Sequence, residues 1–209
     1  VTLSAVREGY ENLVYKTLEA VRWALLHVKF STLLKTDDDS MVHVGRAAAW
    51  LHYQHARDPH AAPSLYAGRV FNDSQVIRHN FTKRNLLHPE WFPSDFTKWA
   101  VPYEALHTSA LVQGYYYPPY CSGGGYMLGV EASRRIVAAF DVRVAARRPV
   151  VRVEDAYVGI LAAEASPAVR PTDLTELVQD PPVGRRQLPE LFGGQLLVHR
   201  VAEPFKAFG

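Results

Sequence analysis

Three consecutive carboxylates, Asp37, Asp38 and Asp39, follow closely on an apolar run from Phe30 to Leu34. The run reads as a short buried strand. Along an extended chain alternate side chains share a face, so Asp37 and Asp39 can point together while Asp38 turns away. Two carboxylates held side by side repel each other and call for a compensating cation. Hard oxygen donors on a short loop suit Mn²⁺ or Mg²⁺, and such an ion can in turn hold a phosphate or diphosphate. Taken alone, the triplet more often marks a solvated acidic turn, the commoner origin of so short a motif.

Three further stretches carry residue types able to do chemistry. Tyr115 to Gly129 reads YYYPPYCSGGGYMLG. Pro118-Pro119 stiffens the approach. Gly123-Gly124-Gly125 lets the backbone come close to a ligand or take positive φ, or else makes a plain turn ahead of a strand over Tyr126–Gly129. Neither GxxxxGKS/T nor GxGxxG is present, which argues against the common nucleotide-binding loops. Val151 to Gly159 reads VRVEDAYVG, placing Glu154 and Asp155 just before an apolar helical pattern. Acids there stabilise a helix N-terminus, or one of them is a general base facing a cleft. His199 lies in an apolar strand pattern over Gln195–Val201, where a histidine is a packed or exposed residue unless something brings it to the acidic triplet.

Several elements must position these groups. Val14, Leu18, Val21, Leu25 and Val28 recur at steps of four and three, which predicts a helix over Tyr10–Val28. A strand over Phe30–Thr36 follows, then an Ala-rich helix from Val44 to about His55 stopped by Asp58-Pro59. Leu65–Phe71 has strand character and Lys98–Val101 reads as a short strand. Residues 131–140 read as a helix with Ile136, Val137 and Phe140 inward. Asn72–Phe96 and the Pro-rich stretch from Ala165 to Pro189 read as irregular. This alternation argues for an α/β layer structure.

With 209 residues, 48% of them hydrophobic, the chain can build one sizeable core but not two comfortable domains. A formal net charge of +2 gives no case for nucleic acid as a partner. The single cysteine, Cys121, cannot form an internal disulfide. No apolar run approaches the ~18 residues a membrane-spanning helix needs. Sequons at Asn72 and Asn80 are weak support for a lumenal location.

The order and wording of these motifs resemble the inverting β-1,3-galactosyltransferase and β-1,3-N-acetylglucosaminyltransferase group, glycosyltransferase family 31, which includes the fringe enzymes. The resemblance rests on Tyr10-Glu11-Asn12-Leu13 with Lys16-Thr17, then Lys35-Thr36-Asp37-Asp38-Asp39, then Lys98-Trp99. It continues through Tyr117-Pro118-Pro119-Tyr120-Cys121-Ser122-Gly123-Gly124-Gly125-Tyr126, Glu154-Asp155-Ala156-Tyr157-Val158-Gly159 and His199-Arg200. It runs from about Tyr10 to Pro204.

The resemblance implies an α/β fold of GT-A type, a mixed central sheet flanked by helices. It implies a UDP-sugar donor, a bound Mn²⁺ (or Mg²⁺), and a glycan acceptor on a glycoprotein, proteoglycan or glycolipid. The triplet matches the family's DxD motif, with Asp37 and Asp39 as metal ligands joined by His199, and Asp38 beside them at the donor. Asp155 matches the catalytic base and Glu154 its supporting neighbour. Tyr120, Gly123, Gly124 and Gly125 match a segment lining the donor and acceptor pocket, and Trp99 a residue packing on a sugar ring. The family's first strand and helix have no counterpart after Val1. The expectation is therefore a single catalytic domain over 1–209, shortened at its amino terminus, from a type II membrane protein of the Golgi lumen anchored by a segment outside this chain. Two other readings share these residues: an inactive relative that binds sugar-nucleotide or glycan, and a metal-dependent phosphohydrolase.

Overall fold

The computed structural model describes residues 6–78, 80–86, 96–101, 116–175, 178–179 and 195–198. The chain divides into two compact units, one of Val1–Val28, Phe71–Tyr120 and Arg134–Arg170, the other of Lys29–Val70, Cys121–Ser133 and Pro171–Gly209. The architecture is the mixed α/β kind that the sequence predicts.

The second unit holds the sheets. Its strands are β1 (Thr32–Thr36), β2 (Met41–Val42), β3 (Tyr66–Phe71), β4 (Tyr120–Gly129), β5 (Thr172–Asp173), β6 (Val178–Gln179) and β7 (Leu197–Val198), with β3 and β4 each ending one residue outside it. The four-stranded sheet has the order β1-β4-β3-β5. β1 runs antiparallel to β4, from Thr32 opposite Gly129 to Thr36 opposite Gly125. β5 runs parallel to β3. A three-stranded sheet, β2-β7-β6, combines an antiparallel and a parallel pair. Helix α2 (Val44–Arg57) begins where His43 accepts a hydrogen bond from Arg46 N at 3.2 Å. It buries Ala47 with Met127 and Leu196, and packs Trp50 and Leu51 against the same cluster. Burying that stripe removes apolar surface from water and seats the helix.

β4 departs most from expectation. The glycine run lies inside the strand rather than in a loop before it. Glycine is a poor strand former, so something other than propensity keeps it there. A Cβ on Gly125 would lie 2.2 Å from Leu197 Cδ1, and one on Gly68 of β3 would lie 3.0 Å from both Cys121 Cβ and Gly125 O. Close approach of neighbours, not left-handed backbone, explains these glycines; the only glycine with positive φ among the described residues is Gly9.

The first unit is helical. Helix α1 (Leu13–His27) buries Val14, Leu18 and Val21 as their spacing predicts, whereas Val28 lies past its end and is exposed. Helix α3 spans Val130–Ala145, longer than expected, with its first four residues assigned to the second unit and Ile136, Val137 and Phe140 buried. Helix α4 (Glu154–Glu164) packs on α1 and is buried on nearly every side, so it is the core helix of this unit. Phe140 meets Tyr157 of α4 and Tyr15 of α1 edge to face. The strand expected over Lys98–Val101 is a correction: Phe96–Trp99 forms a 3₁₀ turn. Ala100 N closes the turn on Thr97 O at 2.9 Å, and although Val101 N donates to Ile77 O at 2.9 Å, no strand pairing extends from it among the described residues. The stretch after Ala165, read as irregular, contributes the short strands β5 and β6. Among the described residues no helix is long and apolar enough to cross a membrane.

Candidate functional site

In the sheet-bearing unit, β1 delivers the acidic triplet into a tight turn closed by Ser40 N donating to Asp37 O at 3.2 Å. Asp37 and Asp39 are half-buried and Asp38 is exposed, the alternation read from the sequence. The turn is fastened to the glycine strand. Gly124 O accepts hydrogen bonds from Ser40 Oγ at 2.7 Å and Thr36 Oγ1 at 3.3 Å. Lys35 Nζ reaches Gly123 O at 2.7 Å and Asp37 Oδ1 at 2.5 Å. Three predicted groups, the acidic triplet, Gly123 and Gly124, are therefore brought together, with Gly125 paired to Thr36 beside them.

Lys35 was not singled out for a role of its own by sequence. Its signal was present, since residues two apart on a strand share a face and Lys35 stands two before Asp37. Its side chain is only 12% exposed, so the pair with Asp37 is partly shielded from solvent. Asp37 thus has a built-in counter-cation. Asp39 keeps one carboxylate oxygen, Oδ1, buried from solvent. These hard oxygen donors fit a divalent ion of the Mg²⁺ or Mn²⁺ kind. Among the described residues no three His, Cys, Asp or Glu side chains gather closely enough to hold an ion by themselves. His199 lies outside the described residues.

In the helical unit, Glu154 and Asp155 both occupy the first turn of α4, where the helix dipole favours negative charge. They differ in access. Glu154 is buried, whereas Asp155 is half-buried, with Oδ1 accepting from Ala156 N at 2.8 Å. Of the two acids, only Asp155 reaches solvent to any extent. One turn further along α4, on the same face, Gly159 abuts the Tyr-Pro-Pro-Tyr segment. A Cβ on Gly159 would fall 2.4 Å from Tyr120 Cβ and 3.2 Å from Pro119 O. Gly159→Ala is expected to push α4 off this segment, costing about 1–3 kcal/mol. A thermal melt checks it, and an unchanged Tm would show that the helix is not held there.

That contact sets two aromatic rings close to Asp155. Tyr120 is buried, shares a 2.8 Å hydrogen bond with Ser74 Oγ, and meets Tyr117 edge to face and Phe71 at a tilt. Burial first, and then the negative charge of Asp155, raise the titration of both phenols well above the ordinary tyrosine range. Trp99 is half-buried and packs against the cluster of Ile77, Leu86, Phe96 and Ala100, with Lys98 Nζ 4.9 Å from its ring centroid. Tyr117 is not marked by the sequence; nothing in the motif shows that it is buried while its neighbour Tyr116 is exposed.

A family profile described as Galactosyltransferase matches residues 2–173. The chain belongs to the galactosyltransferase family, the β-1,3-galactosyltransferase and β-1,3-N-acetylglucosaminyltransferase group that its motifs resemble. It is 28% identical over 187 residues to β-1,3-galactosyltransferase 4 of Canis lupus familiaris, covering 76% of this chain and 43% of the relative. It is 30% identical over 203 residues to the acetylgalactosaminyl-O-glycosyl-glycoprotein β-1,3-N-acetylglucosaminyltransferase of Mus musculus, covering 93% of this chain and 43% of the relative. It is 28% identical over 167 residues to β-1,3-galactosyltransferase brn of Drosophila melanogaster, covering 79% and 42%. The chain thus spans less than half the length of these relatives.

Proposed function

We propose that this chain carries the catalytic residues of an inverting glycosyltransferase that moves galactose or an N-acetylhexosamine from a UDP-sugar to a sugar hydroxyl, forming a β-1,3 linkage. The observation that carries the reading is the acidic turn tied to the glycine strand by Lys35, Thr36 and Ser40. Fixed carboxylates of this kind are what an ion-bound diphosphate requires, because a preorganised site loses little on binding.

Asp39 and its neighbours in the turn would hold Mn²⁺ or Mg²⁺, with His199 as the further ligand that the resemblance implies. When bound, such an ion supplies Lewis-acid neutralisation of charge on the departing diphosphate. Lys35 keeps Asp37 in place and cancels its charge. Asp155 is the general base: as the acceptor oxygen attacks C1 of the donor sugar, its proton passes to the Asp155 carboxylate. The bond from C1 to the diphosphate oxygen breaks with its electron pair leaving on UDP. Attack from the side opposite the leaving group turns an α-linked donor into a β-linked product, and a single carboxylate suffices. Glu154, buried beside Asp155, supports it rather than meeting the substrate. We take both units as parts of one catalytic domain. A Golgi-lumen setting is supported by the exposure of both sequon asparagines, Asn72 and Asn80.

The test is UDP release from UDP-galactose, UDP-N-acetylglucosamine and UDP-N-acetylgalactosamine, with and without Mn²⁺ and with p-nitrophenyl β-glycosides as acceptors. One donor is expected to react in a metal- and acceptor-dependent way, giving a β-1,3-linked disaccharide. Phosphate release from free nucleotides without need of an acceptor would favour a phosphohydrolase, and donor binding without turnover would favour an inactive relative.

A further inference from the structure

Tyr117 has an unusual hydroxyl. Its ring is buried, packs on Tyr120 at 6.0 Å, and is anchored by its own backbone N–H donating to Ser74 O at 3.0 Å. The phenolic oxygen is also buried, yet it has no hydrogen-bond partner among the described residues. Tyr120 differs: its hydroxyl is satisfied by Ser74. A buried donor left unpaired is costly, and phenylalanine would give the same ring packing without that cost. The ring packs on Tyr120, whose Cβ lies against Gly159, one turn along α4 from Asp155. Among the described residues, polar and charged groups around the hydroxyl include Tyr120, Arg78, Tyr10 and Asp155, drawn from the three segments of the same unit.

We propose that the Tyr117 hydroxyl is an acceptor-binding group, donating a hydrogen bond to an oxygen of the acceptor sugar next to the hydroxyl that Asp155 deprotonates. This rests on the reading of Asp155 as the base. A rigid phenol on a Pro-stiffened segment, packed against the helix that carries the base, can orient a sugar ring without freezing a flexible side chain. The proton stays on Tyr117 throughout, and its role is positioning through direct contact with the acceptor.

Tyr117→Phe, made in the full chain, removes the oxygen alone. Assayed with the productive donor and the p-nitrophenyl β-glycosides of galactose, N-acetylglucosamine and N-acetylgalactosamine, it is expected to raise the acceptor KM by about 5- to 100-fold. The donor KM and acceptor-independent UDP-sugar hydrolysis should stay within about two-fold of wild type, well inside a ten-fold step. Tm should be unchanged or higher, since the variant loses an unpaired buried oxygen. An acceptor KM within that same margin overturns the inference, as does a rise in donor KM of equal size. Asp155→Asn is run beside it. If Asp155→Asn retains activity, the base assignment fails first; if it is inactive while Tyr117→Phe is kinetically normal, only the Tyr117 assignment fails. A wild-type chain that turns over none of the three acceptors overturns both.

Discussion

Asp155→Asn is expected to lower transfer by about 10²–10⁴-fold, the range a general base contributes. Asparagine has nearly the same shape and keeps a carbonyl oxygen able to accept from Ala156 N, the contact Asp155 Oδ1 makes at 2.8 Å. What it loses is charge and basicity. The loss of a negative charge at the first turn of α4 costs about 0.3–1 kcal/mol of dipole stabilisation, so the fold survives and the melt shifts little. Donor binding, measured as the thermal shift with UDP and Mn²⁺, should persist. The comparison with Glu154→Gln sharpens the assignment. Glu154 is 3% exposed, so its substitution should register chiefly as lost stability. Near-normal kcat/KM in Asp155→Asn, or a kinetic loss confined to Glu154→Gln, would move the base elsewhere.

Removing Arg143 should have the largest effect on stability. Its side chain is the largest of the fully buried ones in the described structure. Both Nη1 contacts to Glu164 are 2.8 Å long, Nε donates to Tyr157 Oη at 3.1 Å, and Nη2 donates to Pro149 O at 3.2 Å. The guanidinium also lies 5.5 Å from the Tyr157 ring centroid. Arg143 thereby ties the end of α3 to both ends of the α4 surface, and α4 carries Asp155. Arg143→Ala takes from Glu164, itself 17% exposed, both 2.8 Å contacts of its ion pair and leaves a poorly hydrated carboxylate. A partner stranded in this way costs about 3–5 kcal/mol, on the order of 10 °C in Tm for a chain of this size. The mechanism has its own signature. Arg143→Met combined with Glu164→Leu should recover much of the loss, because an apolar pair of similar volume replaces a buried ion pair at little cost. If the single variant melts like wild type, the network contributes nothing; if the double variant is worse than the single, the stranded-charge account is wrong.

Much of the fold is legible in local pattern. The buried face of α1 follows from the three- and four-residue spacing of Val14, Leu18 and Val21, and α2 stops before Asp58-Pro59 as expected. The acids of Glu154-Asp155 do open a helix. Errors fall where pairing partners are distant. The glycine run of β4 has low strand propensity, and only the clasp of β1, β3 and Leu197 makes it a strand. Lys98–Val101 has apolar residues suited to a strand but, among the described residues, no partner ladder, and Phe96–Trp99 coils into a 3₁₀ turn instead.

The candidate site divides along the same line. Residue types and their order were enough to reach the family and to single out Asp37, Asp39 and Asp155 as candidates, because a motif's chemistry is written in adjacent side chains. Sequence could not say that Lys35 neutralises Asp37, that Glu154 is sealed while Asp155 stays open, or that Tyr117 holds a buried hydroxyl with no described partner. Those depend on distances between segments far apart in the chain. Such distances are set by packing of whole elements, and local periodicity carries no information about them.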